Sequence, residues 1–117
     1  MNSDSRVTVY KMRVNESAFA MTLNAIRQLS RRHLRYETLS GVINYTISTD
    51  IAPPFEAIEE LRLGAPFDGD IQIFLRLHAN KRDQFEHFRK RLQELVDFPV
   101  SARETVIFCC LLVTLSD

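Results

Sequence analysis

Two short stretches of the chain alternate between apolar and other side chains with the period of a half-buried β-strand. The first is RVTVYKMRV and the second is IQIFLRL. Because successive side chains of a strand point to opposite sides, each stretch predicts a strand with one face against a core. The residues predicted to face inward are Thr8, Tyr10, Met12 and Val14 in the first strand and Ile71, Ile73, Leu75 and Leu77 in the second.

Each predicted strand is followed by a long amphipathic helix. The stretches AFAMTLNAIRQLSRRHLR and NKRDQFEHFRKRLQELVDF repeat apolar residues at helical spacing, which predicts a buried stripe along each helix. The predicted stripes are Phe19, Leu23, Ile26 and Leu29 in the first helix and Phe85, Phe88, Leu92 and Leu95 in the second. Asn15 or Ser17 is the predicted cap of the first helix, and Pro99 bars continuation of the second.

A second, shorter helix is predicted after each long one. Thr38 or Ser40 caps the stretch LSGVINYTIS, and Ser101 caps SARETVIFCCLLVTL. Ser101 and Glu104 have the spacing of a capping box, which favours a helix for this apolar tail. The tail is also rich in β-branched residues, so the alternative is a strand beside IQIFLRL in an α+β sandwich.

The order of strand, long helix and short helix occurs twice at a constant spacing. Arg13 and Arg76 are separated by 63 positions, and so are the two predicted caps Thr38 and Ser101. This spacing predicts one domain over residues 1–117, with an internal repeat at 6–48 and again at 70–117. The connecting linker, 49–69, contains prolines and glycines and is predicted to include one short helix starting at Pro54.

The zero net charge of the chain conceals an uneven distribution. Residues 1–48 have seven basic and three acidic side chains, a balance of +4, and residues 70–117 have seven of each. The linker has five acidic residues and one arginine, a balance of −4. The polar start MNSDSRVTV and the absence of a long apolar run favour a cytoplasmic protein that does not associate with a membrane.

The repeated unit resembles the ribbon-helix-helix family of DNA-binding proteins. The resemblance implies a mainly α fold with a two-stranded antiparallel β-ribbon, built here as a single-chain pseudo-dimer. It also implies that this ribbon enters the major groove of double-stranded DNA. The expected function is therefore sequence-specific DNA binding, as a transcriptional regulator or as an accessory protein of conjugative transfer. The expected state is a monomer or an assembly of such pseudo-dimers.

The resemblance also implies which residues touch DNA. The outward residues of the two strands are expected to meet base edges, and the first turns of the two short helices are expected to meet phosphates. The implied base contacts are Val9, Lys11, Arg13, Gln72, Phe74 and Arg76, and the implied phosphate contacts are Thr38, Ser40, Ser101 and Arg103. The basic cluster of Arg27, Arg31, Arg32 and Arg35 is a further candidate for the DNA backbone.

Other functions fit the same pattern less well. An outward phenylalanine on a strand and a neutral chain also suit a non-enzymatic interaction module, an inhibitor or adaptor that binds a protein through Phe74. The sequence shows no phosphate-binding glycine loop or nucleophile motif, so we expect no catalytic residues and no cofactor. The three histidines are scattered and Cys109 and Cys110 are adjacent, so we expect no metal site and no disulfide.

Overall fold

The computed structural model describes residues 6–49 and 53–116, which form five helices and a two-stranded antiparallel sheet. Residues 50–52 of the predicted linker and Asp117 of the predicted second repeat lie outside the described residues. The elements in chain order are β1 (Val7–Val14), α1 (Glu16–His33), α2 (Leu39–Ser48), α3 (Phe55–Gly64), β2 (Ile71–His78), α4 (Ala79–Gln93) and α5 (Ala102–Leu115). The expectation of a mainly helical chain with a small antiparallel ribbon is confirmed.

The two strands pair along their whole length. Lys11 lies opposite Phe74, and Val7 at one end of β1 lies opposite His78 at the far end of β2. The predicted pairing of these two segments is therefore confirmed. The apolar tail is helical over Ala102–Leu115 and makes no ladder with β2, so the sandwich alternative is wrong.

Side chains fix the start of each helix that follows a predicted cap. Asn15 accepts a hydrogen bond from the backbone N–H of Ala18 at 2.8 Å, which caps α1. Thr38 caps α2 by accepting from Gly41 at 3.0 Å, so Thr38 and not Ser40 is the cap. The predicted capping box of Ser101 is confirmed. The starts of α1 and α4, and those of α2 and α5, are each 63 positions apart.

Helix α5 is the centre of the core. It packs against α1, α2 and α3, and its residues 104–111 are all buried. Cys109 and Cys110 have no exposed surface and form no disulfide, and burial raises the pKa of both thiols. The inward residues Met12, Val14, Ile73, Leu75 and Leu77 of the ribbon are buried against the helices. Each strand therefore has one face in the core, as the alternation predicted.

The predicted apolar stripe of α1 is partly wrong. Leu23 is 51% exposed, while Phe19 and Ile26 are partly buried at the edge of the core. The face that packs into the core consists of Ala18, Thr22, Ala25 and Leu29. These mostly small side chains allow α5 to approach α1 closely. The contact face of α1 therefore differs from the face that the pattern of large apolar residues predicted.

The predicted end of α4 is also wrong. The helix ends at Gln93, and Leu95, expected in its stripe, is 50% exposed in the following loop. The Gln93 side chain donates to the carbonyl of Phe98 at 2.8 Å and accepts from the N–H of Val100 at 2.9 Å. Gln93 thus holds the loop backbone in place of a further helical turn, while Phe85 and Leu92 remain buried and Phe88 is partly buried.

The linker is fixed to the end of the first strand. Helix α3 begins immediately after Pro54, as predicted, and Phe67 beyond it is buried. The Phe67 carbonyl accepts a hydrogen bond from the N–H of Asn15 at 2.8 Å. A Cβ atom on Gly69 would lie 2.6 Å from the carbonyl oxygen of Val14, so only glycine fits where the linker crosses this strand end.

Candidate functional site

The outer face of the ribbon is an open surface of side chains at strand spacing. All six outward residues singled out from the sequence are exposed, with Phe74 52% and Val9 39% exposed. The register brings them together as three facing pairs: Val9 with Arg76, Lys11 with Phe74, and Arg13 with Gln72. Val7 and His78 extend the same face at one end.

The positive charges of this face lie in the centre and near both ends. Arg13 is close to the end of β1, while Arg76 is close to the end of β2, which is the opposite end of the antiparallel ribbon. Within residues 6–49 and 53–116, no carboxylate lies within 4.0 Å of Lys11, Arg13 or Arg76. These three cations are therefore available to an anionic or hydrogen-bonding ligand.

The first turns of α2 and α5 lie against the ribbon from its two ends. The Ser40 hydroxyl donates to the carbonyl of Arg76 at 2.7 Å, and the Arg103 guanidinium donates to the carbonyl of Arg13 at 3.0 Å. Both the donors and the acceptors of these two bonds are 63 positions apart. Each short helix thus contacts the strand of the other predicted repeat, and its N-terminus lies beside the outer face.

The four residues expected at phosphates already make contacts within the chain. The Thr38 hydroxyl accepts from Gly41, the Ser40 hydroxyl donates to the Arg76 carbonyl, and the Ser101 hydroxyl donates to the Glu104 carboxylate. Arg103 also donates to Glu104, at 3.3 Å. The hydroxyls are therefore engaged, whereas first-turn amides of a helix have no acceptor inside the helix and carry partial positive charge.

Glu104 is buried but ionised at neutral pH. Burial alone would raise the pKa of its carboxyl, but hydrogen bonds from the Ser101 side chain and backbone outweigh burial and lower it. The nearby Arg103 guanidinium acts in the same direction. The negative charge of Glu104 therefore fixes the start of α5 and orients Arg103 beside the ribbon.

A second polar contact joins the inner face of β1 to helix α4. The Tyr10 hydroxyl donates to Glu86 at 2.7 Å, and Glu86 accepts from Arg89 at 3.0 Å. Burial, together with the hydrogen bond to the Glu86 carboxylate, raises the pKa of Tyr10. This contact joins the inner face of the ribbon to α4, so the outer face is presented on a fixed support.

Sequence reasoning missed both helix-to-strand bonds and the Tyr10 contact. Ser40 and Arg103 are different residue types, and neither is close in sequence to the strand that it touches. The one available signal was the constant spacing of 63, which already placed Ser40 and Arg103 at equivalent positions.

No protein-family model, curated protein or solved structure matches the chain. Across residues 6–49 and 53–116, no group of three or more His, Cys, Asp or Glu side chains could hold a metal ion. None of the described helices is both long enough and apolar enough to cross a membrane.

Proposed function

We propose that the chain is a sequence-specific double-stranded DNA-binding protein that reads the major groove with its β-ribbon. In this proposal the two strand-helix-helix units form a ribbon-helix-helix pseudo-dimer within one polypeptide. The observation that carries the proposal is the outer face of the ribbon, where three facing pairs are exposed between the N-termini of α2 and α5.

The dimensions of the ribbon suit the groove. Two paired strands lie about 4.8 Å apart, and eight residues extend about 26 Å. The major groove of B-DNA is about 12 Å wide and admits a two-stranded ribbon. The inner face is held on the helices, so only the outer face is free to enter.

The chemistry of the six outward side chains suits base edges. Arg13 and Arg76 can each donate two hydrogen bonds to guanine O6 and N7, and Lys11 can donate to the same atoms. Gln72 can pair with the edge of adenine, and the apolar Val9 and Phe74 can contact a thymine methyl. Each good pairing contributes about 1–3 kcal/mol of discrimination.

Phosphates on either side of the groove would be bound by the two helix N-termini. The first-turn amides of α2 and α5 supply donors and partial positive charge, while their hydroxyls serve the helix caps and the ribbon. Arg103 adds a full positive charge at the start of α5, whereas the equivalent residue at the start of α2, Ser40, is uncharged. The phosphate contacts assigned to Thr38, Ser40, Ser101 and Arg103 are therefore proposed to run mainly through backbone N–H groups and Arg103.

The two units would read an asymmetric site. Among the six outward residues, Arg13 and Arg76 are the one equivalent pair that is identical, whereas Val9 corresponds to Gln72 and Lys11 to Phe74. We therefore expect similar base pairs at the two ends of the site and different ones between them. A transcriptional regulator and a conjugative-transfer accessory protein both require such recognition.

A second candidate function is supported by the apolar part of the same face. Phe74, Val9 and Val7 are all substantially exposed and lie on one surface, and the net charge of the chain is zero. Such a surface also suits a protein partner that covers Phe74. In that case the chain would be a non-enzymatic inhibitor or adaptor.

Selection from randomised duplexes tests the proposal against this alternative. The wild type should enrich one sequence, and a variant with Lys11, Arg13 and Arg76 all changed to Ala should enrich none. The control is Lys90→Ala with Arg91→Ala, which removes two exposed cations from α4 and should enrich the wild-type sequence. Equal enrichment by all three proteins would show that the chain binds DNA without these three cations and would contradict the ribbon as the reader, whereas no enrichment by the wild type would favour the interaction module.

A further inference from the structure

The solvent-facing side of α1 and the residue that follows its last turn present two leucines and two arginines, here termed the basic stripe. Leu23, Arg27 and Arg31 follow one another at intervals of four, so they lie along one side of the helix, and Leu34 follows its last turn. Leu23 is 51% exposed and Leu34 89% exposed. Two exposed leucines thus precede and follow two exposed arginines.

Leu34 has a backbone conformation that leucine rarely adopts, and hydrogen bonds of the surrounding loop hold it there. Its φ of 55° lies in the left-handed region, which costs a non-glycine residue about 1–2 kcal/mol. The N–H of Arg35 donates to the carbonyl of Ser30, and the N–H of Glu37 donates to the Ser30 hydroxyl at 2.9 Å. His33 contacts the Glu37 carboxylate at 2.8 Å. The loop therefore presents an exposed leucine at a defined position.

Helix α3 carries the opposite charge. Its acidic stripe consists of the exposed Glu56, Glu60 and Leu63, which follow one another at intervals of four and three along one side of the helix, together with Phe55, which begins the helix about 100° around the axis from Glu56. Phe55 and Leu63 are 74% and 70% exposed. The opposite side of the helix, including Ala57 and Leu61, is buried on α5. Glu59 on the same helix is already bonded to Arg62, whereas Glu56 and Glu60 form no ion pair with any described residue.

We propose that the basic stripe of one copy of the chain binds the acidic stripe of a second copy. Both stripes have the order apolar, charged, charged, apolar, and at 1.5 Å per residue they span about 16 Å and about 12 Å. Both are open to solvent, so the chain does not pair them with each other. Because the two stripes have opposite charges and both are exposed on every copy, their complementarity points to another copy of the chain as the partner.

Each copy has one stripe of each kind, so two copies can form two equivalent contacts, or many copies can form a row. The contact contains few residues, so we expect weak association that depends on concentration. Exposed opposite charges are screened by salt, so association should weaken as ionic strength rises. Association through the two stripes does not require DNA, so it is independent of the function of the ribbon.

Sedimentation of the full-length chain without DNA tests the proposal through charge reversal. The wild type should increase in mass with concentration at low salt. Arg27→Glu with Arg31→Glu should weaken association at least about tenfold, and so should Glu56→Lys with Glu60→Lys. An equal mixture of the two reversed variants should associate again, because each then offers a stripe that is complementary to the other.

The matched control reverses two exposed cations elsewhere. Lys90→Glu with Arg91→Glu changes the net charge as the α1 variant does but lies on α4, so association should be retained. Thermal unfolding of each variant checks that the fold is intact. A wild type that stays monomeric at all concentrations, an equal loss in the control, or a mixture that fails to associate would overturn the proposal. Loss of DNA affinity alone in the α1 variant would also overturn it and make the basic stripe a contact for the DNA backbone.

Discussion

Lys11 lies directly opposite Phe74 in the ribbon, and the same two residues are 63 positions apart in the chain. In an antiparallel pair related by a two-fold axis, equivalent residues face each other only at the axis. The register and the spacing of the helix starts are independent observations, and both support the proposed pseudo-dimer, whose axis would pass near the middle of the eight-residue strands. The bonds from Ser40 to the Arg76 carbonyl and from Arg103 to the Arg13 carbonyl are also at equivalent positions of the two units.

The central pair leads to the first prediction. Phe74→Lys makes the two equivalent central residues identical, so the preferred duplex should change at its central base pairs and keep its outer ones. Two like charges directly opposite each other destabilise a ribbon by up to about 1 kcal/mol, which the fold should tolerate. Selection from randomised duplexes with both proteins measures the change. Altered preference at the outer positions, with an unchanged centre, would contradict the proposed alignment.

The arginines at the two ends of the ribbon are expected to read bases. Arg13→Ala and Arg76→Ala should each weaken binding to the preferred duplex by about 1–3 kcal/mol and relax preference at one end of the site. Both side chains are exposed, so stability should change by no more than about 0.5 kcal/mol. Binding curves on preferred and scrambled duplexes, with thermal unfolding of each variant, check this. An equal loss on both duplexes would make the arginines phosphate contacts instead.

Arg103 is expected to act on affinity and not on preference. Arg103→Ala should weaken binding to all duplexes alike and reduce the salt slope by about 1, because one phosphate contact is lost. Ser40→Ala is the matched control, since it removes the equivalent bond to the ribbon without removing a charge. Its salt slope should equal that of the wild type. Identical slopes for all three proteins would show that Arg103 serves the fold alone.

The capping box of α5 should make stability depend on pH. Glu104→Ala removes the acceptor for the Ser101 N–H, so it should destabilise the chain by about 0.5–2 kcal/mol at neutral pH. The folded chain lowers the pKa of Glu104, so ionisation contributes stability above the ordinary value of 4.5. That contribution is lost as the pH falls through the folded pKa. Thermal unfolding at neutral and acidic pH should show that the difference in stability between the wild type and Glu104→Ala becomes smaller in acid. A difference in stability that is the same at both pH values would contradict this.

The strands, the caps and the helical tail could be predicted because each depends on local chemistry. Alternation identifies the inward face of a strand, and Ser101 with Glu104 defines a helix start within four residues. The contact face of α1 could not be predicted in the same way. Hydropathy favours Leu23 over Ala18 or Ala25, but the close approach of α5 requires the small residues and leaves Leu23 in solvent.

The candidate site also has one part that local sequence patterns predict and one part that they do not. The exposed pairs follow from alternation, since one face of each strand is required by the core. The bonds from Ser40 and Arg103 to the strands depend on how helices from different parts of the chain pack, which local patterns do not encode. The constant spacing relates the two bonds to each other without predicting either.

Substitution of two leucines in α1 tests its corrected orientation. Leu29 is fully buried, so Leu29→Ala should destabilise the chain by about 2–5 kcal/mol. Leu23→Ala should change stability by no more than about 0.5 kcal/mol, because half of its side chain is already exposed. Denaturant unfolding of both variants measures the two changes. Similar losses would mean that Leu23 belongs to the core.

The salt dependence of binding to the selected duplex tests the central claim most directly. A protein that reads DNA displaces counterions from phosphates, so the logarithm of its binding constant falls linearly with the logarithm of salt concentration, by about 0.9 for each phosphate neutralised. We predict a steep linear fall for the wild type that Arg103→Ala makes shallower. Absence of binding to any duplex at low salt, or binding that salt leaves unchanged, would contradict the assignment of the ribbon to DNA.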